Sequence, residues 1–323
     1  MLTDPDGRMV QYLRLSLTKS CAMRCKYCRP DWIKNQSDAG ELTPNEIHHL
    51  VKHLAKHHQL KKVRLTGGDP TSRSDLIEVI QAVSKVKQIQ DLAMTTHGLT
   101  LVNQAQAYRD AGVKRLNISL DTLNPQRFAQ LTGVDQLERV CEGIDQALRV
   151  GFDAIKINTV VVKGQNEDDM QSLVRFASQK KVAIRFIELM PMGPLADVWS
   201  QRYVSQEQMK ERIWEIVTES EPIIQGHDAA KCYRCILDDQ RAVTVGFITP
   251  MSCNFCSDCN RVRIASDGSI YPCLMGEPHG NIMTALRPVF DGEKLDRALA
   301  ESLASKQSEH PHDGFVVMTH IGG

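Results

Sequence analysis

Three cysteines near the start of the chain have the spacing of a metal centre. Cys21, Cys25 and Cys28 lie within eight residues, so that one short loop could wrap a single inorganic group. Thiolates at these offsets suit either zinc or an iron–sulfur cluster. Structural zinc takes four ligands and no fourth Cys or His lies nearby, whereas three cysteines on a cluster leave one iron open. We therefore favour a cluster with an open coordination position.

A second group of cysteines lies in the last quarter of the chain. Cys256 and Cys259 form a C-x2-C pair, and Cys273 follows them. Because Cys253 could supply a fourth ligand, the spacing leaves open whether this centre is a closed structural site or an open cluster. The other three of the ten cysteines are expected to pack as ordinary core or surface thiols: Cys141, Cys232 and Cys235.

The overall composition indicates a globular enzyme without a strongly charged partner surface. The 323 residues include 39 Lys and Arg and 39 Asp and Glu, so no net charge attracts nucleic acid or membranes. No apolar run approaches the roughly 20 residues that span a bilayer, and no signal peptide opens the sequence. Cysteines in metal-type spacings are typical of a reducing compartment. We expect a cytoplasmic enzyme that binds neither nucleic acid nor membranes.

Short β-branched runs alternate with amphipathic helical stretches up to about residue 190. Thr43-Pro44-Asn45-Glu46 is a capping box with Pro at the first helical position, and its helix is expected to run to residue 58. Further helices are expected over 136–150 and 167–179. Six β-then-α units predict a parallel sheet whose functional residues collect at the carboxyl ends of the strands. Because a closed barrel needs eight units, we predict an α/β fold with a partial, open TIM-type (β/α)6 barrel. The six strands are expected at 12–18, 62–66, 92–96, 115–120, 154–162 and 183–189.

The pattern changes after residue 190, where Pro191-Met192-Gly193-Pro194 interrupts the alternation. We expect one domain over 1–190 with the first metal centre and a C-terminal α+β extension over 191–323 with the second. In the extension we predict a helix over 205–218, a strand over 242–248 and a hairpin over 262–274. The hairpin is expected to turn at Asp267-Gly268.

The motifs taken together resemble a known family. C-x3-C-x2-C with an aromatic residue before the last Cys resembles the radical S-adenosylmethionine (SAM) superfamily. With L-T-G-G-D-P, S-L-D-T-L, R-F-I-E-L-M, C-N-R-V-R and a terminal Gly-Gly, the chain is similar to the GTP 3′,8-cyclases of molybdenum cofactor biosynthesis. The resemblance implies two [4Fe-4S] clusters, each with an open iron, and places Cys253 outside the ligand set. The implied ligands are Cys21, Cys25 and Cys28 for the first cluster and Cys256, Cys259 and Cys273 for the second.

The resemblance also implies how SAM and GTP are bound. Glycine lets the backbone approach a ligand closely, and the planar fork of arginine suits a carboxylate or a phosphate. The tail is expected to reach the active site, through Gly322 and Gly323. The residues implied for SAM are Tyr27, Gly68, Ser119, Arg185 and Met190. Those implied for GTP are Arg14, Arg64, Thr95, Lys156, Arg261 and Arg263.

The implied reaction begins with one electron from an external reductant, which cleaves SAM at the first cluster. The resulting 5′-deoxyadenosyl radical takes hydrogen from C3′ of GTP, the C3′ radical attacks C8 of guanine, and reduction plus protonation completes the cyclised nucleotide. The product would pass to cyclic pyranopterin monophosphate synthase, and a homodimer is compatible with the resemblance. Two other interpretations stay open: a peptide-modifying radical SAM maturase with an auxiliary cluster, and a non-enzymatic iron–sulfur or zinc protein.

Four residues depart from the family pattern. Asp69 stands where relatives generally have Glu, and His97 where Asn is usual. Lys19 and Ala22 replace the common Asp and Asn beside the first cysteine. None of the four is an expected iron ligand or phosphate-binding cation. The departures therefore concern the shape of the SAM pocket.

Overall fold

Eleven strands form one continuous sheet in the part of the chain that the structure describes. The structure is a computed structural model, and it describes residues 1–29, 40–224, 229–253, 255–309 and 318–322. The strands are β1 (Tyr12–Ser16), β2 (Lys62–Thr66), β3 (Asp91–Thr96), β4 (Arg115–Ser119), β5 (Ala154–Val161), β6 (Ala183–Glu188), β7 (Val217–Ile223), β8 (Ala230–Leu237), β9 (Ala242–Ile248), β10 (Arg261–Ile264) and β11 (Ile270–Tyr271).

Helices connect the first six strands and flank the later ones. No helix in the described ranges is both long and apolar enough to cross a membrane. Short 3₁₀ turns lie at Pro70–Ser72, Glu167–Asp169, Gly193–Val198 and Cys256–Asp258. The α-helices are α1 (Pro44–His58), α2 (Leu76–Ser84), α3 (Leu101–Ala111), α4 (Pro125–Thr132), α5 (Leu137–Val150), α6 (Met170–Lys180), α7 (Trp199–Arg202), α8 (Gln206–Trp214), α9 (Met283–Leu286), α10 (Gly292–Ala304) and α11 (Met318–Ile321).

The predicted open barrel is confirmed. The strand order is β11-β10-β1-β2-β3-β4-β5-β6-β9-β8-β7, and β1 to β6 are parallel neighbours in chain order. A helix follows each of β1 to β5, as right-handed crossovers between parallel strands require. Because β1 and β6 do not pair with each other, the barrel is left open.

Strands from the C-terminal part extend the sheet at both of its free edges. On one side β9 pairs in parallel with β6, and β8 and β7 follow it antiparallel. On the other side β10 pairs in parallel with β1, and β11 closes the expected hairpin. The chain after the barrel therefore covers two edges that would otherwise expose unpaired backbone groups.

The structure corrects the prediction of a helix over 205–218. Helix α8 ends at Trp214, and Val217 already begins β7. Ser205 forms the expected N-terminal cap, in a capping box with Gln208. The C-terminal end was misassigned because β7 is an edge strand, with five of its seven residues exposed. Such a strand shows no hydrophobic alternation, and it is defined by its pairing with β8.

Alternation along the strands directs the site residues to one face. On β1, Leu13 and Leu15 are fully buried against the helix layer, while Arg14 lies between them on the other face. Arg14 is in register with Arg64 of β2 and with Arg263 of β10. Residues in register on neighbouring parallel strands point to the same face. The sheet thus places three arginines side by side across β10, β1 and β2, which we call the arginine row.

Candidate active site

A single cavity of about 320 Å³ lies against this inner face of the sheet. Both cysteine triads line it, one from the loop after β1 and one from the segment around β10 and β11. The three residues of the arginine row also line it, together with Arg261. The carboxyl ends of parallel strands are where sites form in barrels of this type.

The first triad, Cys21, Cys25 and Cys28, is held in a tight loop. Backbone hydrogen bonds fasten this loop to the end of α4, with Arg24 N donating to Thr132 O at 2.7 Å and Lys26 N to Leu131 O at 3.0 Å. Burial raises the pKa of the Cys21 and Cys28 thiols to about 12 and holds that of Cys25 well above its ordinary value. A cation bound between the sulfurs would offset this cost of ionising them.

The second triad combines two cysteines from a 3₁₀ turn with one from the hairpin. Cys256 and Cys259 lie at the Cys256–Asp258 turn before β10, and Cys273 follows β11. Burial raises the pKa of Cys259, but the charges of Lys306 and Arg261 outweigh it, so that the pKa lies below its ordinary value. This centre is therefore more electropositive than the first.

Cys253 lies apart from the second triad. It is exposed, does not line the cavity, and its sulfur accepts a hydrogen bond from Lys231 Nζ at 2.9 Å. Cys232 and Cys235 are buried on β8, and Cys141 is half-buried on α5, as expected for packing thiols.

The spacing of the sulfurs tests what each triad could hold. Zinc at about 2.3 Å from each thiolate would bring tetrahedral ligands to about 3.8 Å from one another. Among the described residues, neither triad has all three sulfurs within 4.8 Å of one another. Both triads are thus wider than a mononuclear zinc site, as three corners of an iron–sulfur cluster require.

Buried charges that the sequence analysis missed support the second triad. Lys306 Nζ donates to the carbonyl oxygen of Cys259 at 3.0 Å, and Arg8 Nη1 to that of Cys256 at 2.7 Å. Asp4 pairs with both cations, at 2.6 Å to Arg8 and 3.3 Å to Lys306. Asp4 and Arg8 are near the start of the chain and Lys306 is near its end, so no local sequence pattern predicts that they meet.

The arginine row and Arg261 concentrate positive charge in the cavity. None of the ion pairs among the described residues involves Arg64, Arg261 or Arg263. Burial and the neighbouring guanidinium of Arg263 hold the pKa of Arg14 well below its usual range. Burial and the charge of Arg261 lower the pKa of Arg263 to about 10. This concentration of cations favours an anionic ligand.

Several buried polar atoms in and beside the row lack a hydrogen-bond partner in the part of the chain that the structure describes. Tyr12 Oη, Arg64 Nε and Thr95 Oγ1 are buried, and none has a hydrogen-bond partner among the described residues. Buried polar groups are normally satisfied, so a group of such atoms on one cavity wall indicates a ligand site. Thr95, expected at the GTP site, lines the same cavity.

The expected SAM residues Ser119 and Arg185 line the same cavity from β4 and β6. Ser119, Asn158 and Arg185 are in register on β4, β5 and β6. Arg185 is buried, and its Nε donates to Asn158 Oδ1 at 3.0 Å, while its Nη2 donates to Asn117 Oδ1. The two asparagines orient the guanidinium, and sequence reasoning missed both because short amides in a strand give no signal of their own.

Tyr27 and Met190 also line the cavity. Tyr27 Oη donates to Asp121 Oδ2 at 2.6 Å, and the other oxygen of Asp121 accepts from Val160 N at 2.9 Å. Burial raises the pKa of Asp121 to about 6. Asp121 belongs to the S-L-D-T-L motif, which the sequence analysis used for recognition without assigning this carboxylate a contact.

Gly68 has a structural reason to be glycine. A Cβ built on it would lie 2.3 Å from Ser20 O and 2.6 Å from Lys19 O, both backbone atoms of the segment that leads into Cys21. Its N–H donates to Thr18 O at 2.7 Å. The glycine therefore allows the loop after β2 to pack directly on the first cysteine loop.

Asp69 and His97, two of the departures from the family pattern, contact each other. The carboxylate of Asp69 accepts hydrogen bonds from Thr71 N at 2.8 Å, Thr96 Oγ1 at 2.9 Å and His97 N at 2.7 Å. Asp69 thus joins the loops after β2 and β3. His97 Nε2 is buried, lies 3.5 Å from Asp69 Oδ2 and has no hydrogen-bond partner among the described residues.

Lys156 is the expected GTP residue that does not line the cavity. It lies on the face of β5 that carries Asn158 and Val160, which do line it. Lys156 is in register with Asn117, nearer the amino end of the strand. Alternation along a strand predicts which face Lys156 lies on, but not how far along the strand the cavity extends.

The tail reaches the site. The carbonyl oxygen of Gly322 accepts from Arg263 Nη1 at 2.8 Å, and that of His320 accepts from Ser16 Oγ at 2.9 Å. Ile321 is fully buried and packs with Met192. Gly322 has a positive φ of 72°, and a Cβ on it would lie 2.3 Å from Thr66 Cγ2. Gly323 lies outside the described residues.

Comparisons with known proteins agree with this geometry. The model of the Radical SAM superfamily matches residues 15–177, and the model described as Molybdenum Cofactor Synthesis C matches residues 182–312. The GTP 3′,8-cyclase of Alkaliphilus oremlandii is 37% identical over 310 residues, which cover 96% of this chain and 94% of the relative. That of Listeria monocytogenes serotype 4b is 35% identical over 313 residues, or 96% and 92% of the two chains.

Two solved structures share the fold. SuiB of Streptococcus suis bound to the precursor peptide SuiA has a TM-score of 0.61 at 14% identity and covers 95% of this chain and 75% of its own. Native anSMEcpe with bound AdoMet has a TM-score of 0.54 at 14% identity, over 91% and 83% of the chains. At this identity the similarity shows the fold alone. On the evidence of the two matching models and the full-length relatives, the chain belongs to the GTP 3′,8-cyclase family of radical SAM enzymes.

Proposed function

We propose that this chain converts GTP to (8S)-3′,8-cyclo-7,8-dihydroguanosine 5′-triphosphate, the first step of molybdenum cofactor biosynthesis. The observation that carries the proposal is the shared cavity, which has two cysteine triads and an arginine row on its walls. A reaction between a SAM-derived group and a nucleotide requires both to be bound in one enclosed space. Membership of the family indicates the reaction, and the cavity is where we propose that SAM and GTP bind together.

Cys21, Cys25 and Cys28 would hold one [4Fe-4S] cluster, and SAM would bind beside it. When bound, these two cofactors supply hydrogen-atom abstraction at C3′ of the nucleotide. Arg185, oriented by the amides of Asn117 and Asn158, presents a planar cation suited to the SAM carboxylate. Tyr27, which donates a hydrogen bond to Asp121, lines the cavity together with the first triad.

The arginine row and Arg261 would bind the triphosphate. The absence of any carboxylate partner for Arg64, Arg261 and Arg263 in the described ranges leaves their charge for the ligand. Cys256, Cys259 and Cys273 would hold the second [4Fe-4S] cluster, which would supply an iron with an open coordination position for the guanine. Holding the triphosphate and the guanine at two separate points would orient the substrate for closure between C3′ and C8.

The partners follow from the same proposal. An external one-electron reductant drives the cofactors, and the cyclised nucleotide passes to cyclic pyranopterin monophosphate synthase. The structural likeness to SuiB keeps a peptide-modifying maturase as the second candidate, at the level of fold. The arginine row favours the nucleotide, because a neutral peptide would leave that charge uncompensated in the cavity.

Anaerobic incubation with SAM, GTP and a reductant, followed by mass analysis of the products, tests the proposal. We expect 5′-deoxyadenosine and a cyclised nucleotide isomeric with GTP, which chromatography and fragmentation separate from GTP, both dependent on SAM. A matched reaction with ATP in place of GTP is the control for nucleotide choice. Cleavage of SAM with no GTP-derived product would favour the maturase, and no cleavage at all would favour a non-enzymatic protein.

A further inference from the structure

A second cluster of metal-binding side chains lies outside the active site, where helix α1 meets helix α10. His53 and His58 come from α1, and Asp296 comes from α10, more than 230 residues later in the chain. One possible ligand atom from each residue lies within 4.8 Å of the other two. Among the described residues no other group of three His, Cys, Asp or Glu side chains meets this condition.

The geometry is that of a two-histidine, one-carboxylate set. The Nε2 atoms of His53 and His58 each lie 2.7 Å from Asp296 Oδ1. Zinc–ligand distances of about 2.0–2.2 Å place ligand atoms roughly 3.3 Å apart, so admitting an ion needs an opening of about 0.6 Å. The side chain of Asp296 is 40% exposed and can make this movement.

His58 Nε2 lies 2.7 Å from Asp296 Oδ1 and would give up its proton to a metal held between the two atoms. Because the buried Nδ1 of His58 accepts no hydrogen bond from the described residues, it can carry the imidazole proton when Nε2 is a ligand. A carboxylate between two imidazoles suits a divalent transition metal.

The surroundings give an ion access and leave room for its water ligands. An open cavity of about 670 Å³ lies beside the cluster and is lined by His53, His57 and Asp296. The ring of His57 lies 4.6 Å from that of His53, centroid to centroid.

Gly292, the first residue of α10, fits the same arrangement. Its φ is not positive, so its backbone does not demand glycine. A Cβ there would lie 2.6 Å from His53 Cε1 and 3.0 Å from His53 Nδ1. The missing side chain lets the imidazole of His53 lie against the start of α10, in reach of Asp296.

We propose that His53, His58 and Asp296 form a binding site for a divalent transition metal of the zinc class, which fastens α10 to α1. The site is distinct from both cysteine triads, since none of its residues lines the active-site cavity. Helix α10 leads to Lys306, which bonds the backbone of Cys259. The metal would therefore stiffen an element that supports the second cysteine loop.

Zinc binding to the cluster-loaded protein tests the proposal. Anaerobic equilibrium dialysis against zinc chloride, with metal analysis, is expected to give one tightly bound zinc per chain with iron and sulfide contents unchanged. Outer-shell partners alone are worth about 10- to 100-fold in affinity, so His53→Ala and Asp296→Asn should weaken binding at least about 100-fold. Gly292→Ala, which keeps all three ligands, should weaken it less.

His49→Ala is the matched control. His49 is on the same helix but stacks on Phe290 and is not part of the cluster, so zinc affinity should stay within about twofold of wild type. Zinc should raise the melting temperature of wild type and His49→Ala, but not of His53→Ala. No zinc retained by the wild type, or equal retention by wild type, His53→Ala and Asp296→Asn, would overturn the proposal.

Discussion

Replacing Arg64 by methionine separates the effect of the arginine row on the stability of the fold from its contribution to GTP binding. Methionine keeps much of the side-chain volume and removes the charge. A charge-assisted hydrogen bond is worth about 1.5–3 kcal/mol, so affinity for GTP should fall about ten- to a hundredfold. If GTP at 100 times its Kd stabilises the wild type by about 2.7 kcal/mol, a hundredfold loss leaves about 0.4 kcal/mol.

Without GTP the same change should not destabilise the protein. Arg64 is in register with Arg14 on the neighbouring strand. Two like charges about 5 Å apart repel by roughly 3 kcal/mol at an effective dielectric constant of about 20, less if the long side chains diverge. Removing Arg64 also ends its contact over the Tyr12 ring, at 5.5 Å, which is worth about 0.5–2 kcal/mol. The two effects leave the melting temperature unchanged or higher.

Anaerobic thermal shift and equilibrium dialysis, each with and without GTP, measure both effects in cluster-loaded protein. Arg115→Met is the control, because Arg115 lies on β4 and pairs with Asp91 outside the cavity. We expect that variant to bind GTP as the wild type does and to melt at the same or a lower temperature. Unchanged GTP affinity in Arg64→Met, with both clusters intact, would refute the assignment of the row to the triphosphate.

Two further predictions concern the first cysteine loop. Cys25→Ser should reduce reconstituted iron by about half and abolish formation of 5′-deoxyadenosine, because two thiolates cannot hold the open cluster; undiminished SAM cleavage would contradict the ligand assignment. Gly68→Ala should lower cluster incorporation at this loop and destabilise the protein by about 1–3 kcal/mol, because its Cβ would meet two backbone oxygens that cannot move away separately. Iron analysis and anaerobic melting check this second change, and wild-type values in both would show that the loop can shift.

The sequence was sufficient for the barrel because each of its strands carries a local signal. Every one of the six predicted strands is present, with ends that differ by two residues at most. The capping box at Thr43 likewise gave the start of α1, where Glu46 N donates to Thr43 Oγ1 at 3.3 Å. Patterns of this kind depend only on neighbouring residues.

Register across the sheet has no such local signal. The arginine row exists because Arg14, Arg64 and Arg263 are in register on three neighbouring strands. One of these strands, β10, comes from the C-terminal part of the chain, so its pairing with β1 cannot be read from neighbouring residues. The same cause explains why Lys156 was placed on the right face of β5 but does not line the cavity. The family resemblance predicted which residues bind GTP, whereas the side chains that lie next to them are known only from the folded structure.

Supporting residues were missed for the same reason. Asn117 and Asn158 act on Arg185 across strands, and Lys306 acts on Cys259 from the end of a distant helix. A polar residue in a strand or after a helix is usually solvated, so its type alone predicts no role. Burial in the folded chain distinguishes these residues from the rest.

Gly322→Ala tests whether the tail guides the reaction or only fills space. The new Cβ would lie 2.3 Å from Thr66 Cγ2, and a positive φ of 72° costs alanine about 1 kcal/mol or more. The tail should then leave Thr66 and lose the bond from Arg263 to its carbonyl oxygen. We expect cluster content and SAM cleavage to be retained while cyclised product falls at least about tenfold, a cost of about 1.4 kcal/mol in the barrier.

Gly280→Ala is the matched control for backbone strain. Gly280 has a similar φ of 88°, but a Cβ there would meet nothing closer than 3.6 Å. Its product yield should therefore equal that of the wild type, and deletion of Gly322 and Gly323 should reproduce the Gly322→Ala defect. Because Arg263 also belongs to the arginine row, losing the tail frees a cation that then has only the triphosphate to bind. Affinity for GTP should be unchanged or higher in Gly322→Ala, so that the defect falls on turnover. Product formed by Gly322→Ala at the wild-type rate would show that the tail has no part in cyclisation.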